Sequence, residues 1–210
     1  MSNSIAKFRS ENLGEHPNRN IDISEVQLCR RILQDNSLIG ILYEGQWTGY
    51  DYGNISFRIS KGILISGSQT SGKKDVDIDD FAYVVDYDSK SSTAKWFGKK
   101  TPSSETPLHW SVYKTIPDIN AVIHGHITEE DSLFSKAPAF FEECGFPLTQ
   151  SRSKSNTIGE EFSKLIKKRG TKDVIGMNNH DGGFGLIAID KTLKAACNKL
   201  IQFNKRLRAA

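Results

Sequence analysis

The sequence predicts a single α/β domain. Three observations lead there: 210 residues make one domain with a substantial core but only two small ones; short stretches alternate apolar and polar residues with period two; and stretches between them place apolar residues at helical spacing. Composition is that of an ordinary globular chain, with 37% hydrophobic residues, 25% charged residues and 17 glycines. No apolar run reaches the roughly 18 residues that span a bilayer, so no membrane association is expected. The net charge of +3 is modest, and the basic clusters at 164–169 and 205–208 read as solvated helix faces or ends, so no nucleic-acid partner is expected. Cys29, Cys144 and Cys197 are odd in number and lack CxxC spacing, which argues against a disulfide scaffold and a cysteine zinc site. The N-terminus lacks the apolar core of a secretory signal, and the expected location is cytoplasmic.

Residues 1–20 are polar and aperiodic, which predicts a flexible N-terminal tail ahead of a domain over 21–210. From Ser24, Val26, Cys29, Ile32 and Leu33 fall at helical spacing, giving a helix that ends near Asn36. Residues 38–43 read as a possible strand, and 45–53 as a glycine and aromatic loop. Ile55, Phe57 and Ile59 alternate with Asn54, Ser56 and Arg58 in a half-buried strand, which a short turn at Lys61-Gly62 joins to a second strand over 62–66. Residues 81–87 form a β-branched and aromatic strand, and 94–97 an edge strand. Pro138 argues against continuous helix over 129–144, part of which reads as a lid or interface. A helix over 159–169, a strand over 174–177, a strand over 184–189 and a helix over 192–208 complete the chain.

The chemistry concentrates in residues 101–126. Ala121-Val122-Ile123 is a short β-prone run leading into His124-Gly125-His126, and on a strand residues two apart project from one face, so two imidazoles can converge on one ion. Upstream, Ser103-Ser104-Glu105-Thr106-Pro107 carries helix-start signals ahead of Leu108 and Val112, which places Glu105 near a helix N-terminus. His124, His126 and His180 all stand beside or near glycines at the ends of predicted strands. Three neutral imidazoles match the open ligand set of a catalytic divalent metal, with Zn2+ the default. Spacing alone equally allows HGH to be a surface loop and His180 a turn residue. His109, four residues after Glu105, reads as packing or capping ahead of a role beside Glu105; Asp181 fits either a turn or an orienting bond to His180.

Gly53-Asn54-Ile55-Ser56, Ile65-Ser66-Gly67-Ser68-Gln69-Thr70-Ser71-Gly72, Ser103-Ser104-Glu105, Ala121-Val122-Ile123-His124-Gly125-His126 and Asn179-His180-Asp181-Gly182-Gly183 stand in the order and spacing of the class II aldolase/adducin family. The chain resembles that family, fuculose-phosphate aldolase included, over roughly residues 24–200. The resemblance implies a three-layer α/β/α fold around a central, mostly antiparallel sheet. It implies metal ligation by His124, His126 and His180, acid/base work by Glu105, and an oxyanion cradle of Asn54, Ser68, Gln69, Ser103 and Ser104. Gln69 departs from the glycine often found there. The implied activity is that of a divalent-metal lyase of aldolase or dehydratase type, acting through an enediolate on a small hydroxy-carbonyl or sugar-phosphate substrate of carbohydrate metabolism. An epimerase would more often carry aspartate where Glu105 stands, and the rival from another class is a non-catalytic interaction domain like the adducin head. The family's usual assembly implies a homotetramer with sites between subunits.

Overall fold

A computed structural model describes residues 8–44, 47–149, 158–169, 174–180 and 183–210, with backbone alone for 169, 179 and 180. In chain order the strands are β1 (Arg9–Asn12), β2 (Gly40–Ile41), β3 (Asp51–Tyr52), β4 (Asn54–Ile59), β5 (Gly62–Ser66), β6 (Phe81–Asp88), β7 (Thr93–Phe97), β8 (Ala121–Thr128), β9 (Leu148–Thr149), β10 (Ile175–His180) and β11 (Gly183–Asp190). The helices are α1 (Ser24–Asp35), α2 (Thr106–Thr115), α3 (Ala137–Glu143), α4 (Ile158–Arg169) and α5 (Leu193–Ala209). Among the described residues nine strands form one sheet in the order β1-β7-β6-β5-β4-β8-β11-β10-β9, and β2 pairs with β3 apart from it. The pairs β1 with β7 and β9 with β10 are parallel; the other neighbours in the large sheet are antiparallel.

Alternation along each strand sorts side chains into two apolar clusters. Ile55, Leu64, Ile123 and Leu186 join the cluster that holds Val26 and Leu33 of α1 and Leu200 of α5. Ile63, Ile65, Val122 and Ile187 join the cluster that holds Leu108 and Val112 of α2 and Phe162 and Ile166 of α4. Period two then assigns Asn54 and Ser56 of β4, and His124 and His126 of β8, to the face that carries α2. That face of two central strands is polar at the point where a purely structural sheet would be apolar.

Several elements differ from the sequence reading. Residues 8–20, which the sequence alone assigns to a flexible tail, are docked: β1 runs parallel to β7 with Arg9 opposite Thr93, Phe8 is buried edge-on to Tyr87, and His16 is buried and stacked on Tyr83. All four β1 side chains are exposed, so the strand exists through main-chain pairing and leaves no apolar alternation to read. With β1 beside it, β7 is not an edge strand. The expected strand over 38–43 shrinks to the two residues of β2, while Leu38 and Ile39 sink into the core. Over 129–144 no continuous helix forms, as Pro138 argued; Pro138 falls in the first turn of the short helix α3, where its missing N–H costs nothing.

Within this segment Phe141 of α3 joins the core. This side chain is fully buried, its ring 4.9 Å from Phe203 of α5 and 5.0 Å from Phe184 of β11. Cys29 and Cys197 are free and buried; Cys144 is free and exposed. Among the described residues no helix is long and apolar enough to cross a membrane. Phe141→Ala is expected to lower unfolding stability by about 3–5 kcal/mol through lost burial and the cavity left behind, measured as a shift of the urea midpoint at unchanged slope.

Candidate metal and acid-base site

The sheet register assembles the site. On β8, His124 stands opposite Asn54 of β4 and Ile187 of β11, and His126 opposite Gly185. The two imidazole centroids are 4.7 Å apart, and both rings are buried. Each metal–imidazole bond measures about 2.0–2.1 Å, so rings this close can share one ion. Gly125 between them lets the chain at Leu38 pass close: a Cβ there would stand 2.9 Å from the Leu38 carbonyl oxygen, which accepts the His126 N–H at 2.8 Å. Gly53 holds φ +77°, and a Cβ there would stand 2.9 Å from the His124 carbonyl oxygen; glycine is the residue this approach requires.

The main chain of His180 ends β10 opposite Gly183, which pairs in turn with Thr128, two residues beyond His126. Its side chain, and Asp181, lie outside the described residues. Among the described residues no group of three or more His, Cys, Asp and Glu is gathered.

Glu105 is the N-cap of α2 and is buried. Its N–H donates to Ser103 Oγ at 3.3 Å, and Ser103 N–H donates to the Ser66 carbonyl at 3.1 Å, which ties the start of α2 to the end of β5. Next to it, Ser66 Oγ accepts the Ile55 N–H at 3.1 Å. Glu105 thus begins the helix whose Leu108 and Val112 pack on the sheet face that carries Asn54 and His124.

One turn later on α2, His109 is fully buried, and its Nδ1 is 2.7 Å from Ser56 Oγ. Ser56 Oγ lies 2.8 Å from the Tyr113 hydroxyl. The Ser56 hydroxyl thus bridges the His109 ring and the Tyr113 hydroxyl. Among the described residues Nε2 has no hydrogen-bond partner. Burial holds the His109 pKa down at about 4, against a smaller upward pull from the charge of Glu105. The sequence reading of His109 as packing is thus half the account: it is a neutral imidazole fixed from β4, beside the acid.

Of the residues expected to form the oxyanion cradle, Asn54 pairs with His124 across β4 and β8. Asn54 is buried, and its Oδ1 has no hydrogen-bond partner among the described residues. Ser68 Oγ donates to the Pro102 carbonyl at 3.2 Å, and Gly67 and Pro102 form an antiparallel bridge that brings the 67–72 loop against 101–104. Gln69 has φ +60°. Ser103 is buried and Ser104 half-buried. Two residues missed by sequence reasoning stand here as well. Tyr52 lies with its ring 5.5 Å from His126, and burial pushes its phenol up to about 12. Asp51 accepts the Ser71 N–H at 2.7 Å. Their nearness to Gly53-Asn54 was the available signal.

Comparison with known proteins places this architecture. The profile of the family described as Class II Aldolase and Adducin N-terminal domain matches residues 37–210, and the chain belongs to that family. It is 32% identical over 162 residues to the 5-methylthioribulose-1-phosphate/5-deoxyribulose-1-phosphate aldolase of Rhodospirillum rubrum, covering 71% of this chain and 66% of that protein. It is 31% identical over 83 residues to the methylthioribulose-1-phosphate dehydratase of Yersinia enterocolitica, covering 40% of this chain and 37% of that protein. The matched chain thus spans less than two thirds of either relative's length. In fold it is similar to the L-fuculose-1-phosphate aldolase of Thermus thermophilus, with a TM-score of 0.58 at 14% identity over 89% of this chain and 90% of that one.

A folded-state pKa below the unfolded value means that His109 resists protonation until the chain unfolds. Stability is therefore expected to fall as pH drops from about 6.5 to about 4, by about 3 kcal/mol in all. In His109→Gln the slope of unfolding free energy against pH over that window should be shallower by about one proton, as read by urea titration at each pH.

Proposed function

We propose that this chain is a divalent-metal-dependent lyase of aldolase or dehydratase type, acting on a small hydroxy-carbonyl compound, free or phosphorylated, through an enediolate. The observation that carries this reading is the row of Asn54, His124 and His126 on the α2 face of the sheet, with Glu105 capping the helix that lies on that face. Its chemical fit to a metal rests on the donors: two buried imidazoles at sharing distance, with His180 proposed as the third, and the suitability of imidazole as a ligand for Zn2+ and neighbouring divalent metals. A bound ion would act as a Lewis acid toward a carbonyl oxygen and its neighbouring hydroxyl.

The protein's own groups do the rest. Glu105, buried where the helix N-terminus favours negative charge, removes a proton from the substrate carbon or from a hydroxyl and returns it to the product. His109, neutral and held by Ser56, stands one turn along α2 from that carboxylate. Asn54, Ser68, Gln69, Ser103 and Ser104 hold the end of the substrate remote from the metal. The names of the two curated relatives, an aldolase and a dehydratase of phosphorylated ketoses, support a lyase reading at the level of reaction class. A cytoplasmic homotetramer remains the proposed setting; Tyr43, 78% exposed in the same loop region as Tyr52, is apolar surface that a subunit contact would cover.

Three measurements on chelator-stripped protein test this. Zn2+ should raise the melting temperature, by a free energy of about 2.7 kcal/mol when the ion is a hundredfold above its Kd. His124→Ala should abolish that rise. Glu105→Gln should keep it while turnover falls by about 10²–10⁴-fold. No metal-dependent stabilisation in the parent protein would favour a non-catalytic interaction domain like the adducin head.

A further inference from the structure

Strand register puts the Cβ atoms of His124 and His126 on one face, but it does not by itself set the planes of their rings. The torsion about Cβ–Cγ joins an sp3 to an sp2 carbon and has a broad, two-fold profile, whereas an imidazole offers its lone pair only in the plane of the ring. A ligand histidine therefore needs a neighbour that fixes that plane, a task usually given to a hydrogen-bond acceptor on the other ring nitrogen. Against the buried ring of His126 the structure sets a flat face: the Tyr52 ring lies with its centroid 5.5 Å away and its plane tilted by 34°. The other ring against His126 is that of His124, at 4.7 Å and 45°.

Tyr52 is itself held in place. It belongs to β3, which pairs with β2 outside the nine-stranded sheet, and stands opposite Gly40. The phenol crosses the bare α-carbon of Gly40: a Cβ there would stand 3.1 Å from Tyr52 Oη and 3.3 Å from Cζ. The hydroxyl donates to the Ser37 carbonyl at 3.4 Å, a long bond that adds little. The segment under the ring is fastened to β8, because the Leu38 carbonyl accepts the His126 N–H at 2.8 Å. Gly53, next after Tyr52, lies against Ile39 and the His124 carbonyl, where a Cβ would stand 2.4 and 2.9 Å from the nearest atoms of each. Phenol and imidazole thus share one frame. Two residues per strand make a pair too short to stand alone, and what this pair delivers to β8 is the Tyr52 ring.

We propose that Tyr52 is a positioning residue of the metal site: its ring restrains the plane of the His126 imidazole, so that the donor nitrogen is aimed before an ion binds. The aromatic face does this work, and the hydroxyl does not. Tyr52 acts through His126 and is not itself a ligand. Locking the rotamer of a ligand by packing raises affinity because less ordering is left to do on binding. This inference rests on the metal reading above and deepens it, giving the β2–β3 pair a part in aiming a ligand.

Two measurements decide it. In metal-free protein, proton NMR with isotope-labelled histidine should show cross-relaxation between the Tyr52 and His126 ring protons, and Tyr52→Leu should move the His126 ring resonances as the ring current is lost. Zinc affinity, read by competition with a chromophoric chelator, should fall about tenfold or more in Tyr52→Leu and stay within about twofold in Tyr52→Phe. Tyr52→Val gives the same reading if the leucine variant does not fold. In a His126→Ala background Tyr52→Leu should change zinc affinity by less than about twofold, because the residue through which Tyr52 acts is gone. A substitution that merely loosened the fold would weaken zinc binding alike with and without His126, and that result overturns the inference. Zinc affinity indifferent to Tyr52→Leu, a loss in Tyr52→Phe equal to that in Tyr52→Leu, or absence of the cross-relaxation overturns it too. A parent protein that binds no zinc overturns the metal reading and this role together, which sets it apart from a parent that binds zinc regardless of Tyr52.

Discussion

The site depends on the register of β8 between β4 and β11. Side chains on a strand alternate with period two, so a slip of one residue would turn His124 and His126 toward α1 and α5 and bring Ile123 and Ile127 to the α2 face. The apolar residues of three neighbouring strands oppose that slip: Ile55, Ile123 and Leu186 need the α1–α5 side, while Val122 and Ile187 need the α2–α4 side. Core burial, at roughly 25 cal/mol for each Å² removed from water, is thus what aims the imidazoles. The two imidazoles are turned to the α2 face by apolar residues of the sheet.

Placing polar groups in that sheet has a cost, and the structure offsets it with hydrogen bonds from α2. Ser56 would be a buried, unpaired hydroxyl in the centre of β4, but His109 and Tyr113 engage it from one helix, and Arg58 two residues on donates to the Tyr113 carbonyl at 3.0 Å and lies over the Tyr113 ring. This chain of contacts fixes the height and rotation of α2 on the sheet. Because Glu105 begins that helix, the same contacts fix where the acid stands. A separate clamp holds the facing loop, with Arg30 on its carbonyls and Asp51 on its N–H groups.

How much of this was readable from the sequence follows from how local each cause is. Helices α1 and α5 and the β4–β5 hairpin were legible because their apolar periodicity is written within a dozen residues, and HGH was legible because a strand puts i and i+2 on one face. Strand β1 was not, since four exposed side chains carry no pattern and its partner is over eighty residues away in β7. Helix α3 was obscured by Pro138, which reads as a breaker until its place in the first turn is known. The roles of His109 and Asp51 lie in contacts with Ser56 and Ser71, 53 and 20 residues distant, and no spacing rule reaches those. Glu105 was legible as a helix-start residue, but the anchoring of that helix start to β5 depends on Ser103 meeting Ser66.

The claim at the centre is that sheet pairing delivers imidazoles from β8 and β10 to one ion. X-ray absorption at the zinc edge of the loaded protein measures this directly. The account predicts light-atom ligands at about 2.0–2.1 Å with the outer-shell scattering of three imidazole rings, falling to two when His180 is replaced by alanine. Sulfur scattering at about 2.3 Å, or a spectrum unchanged by that substitution, would contradict it.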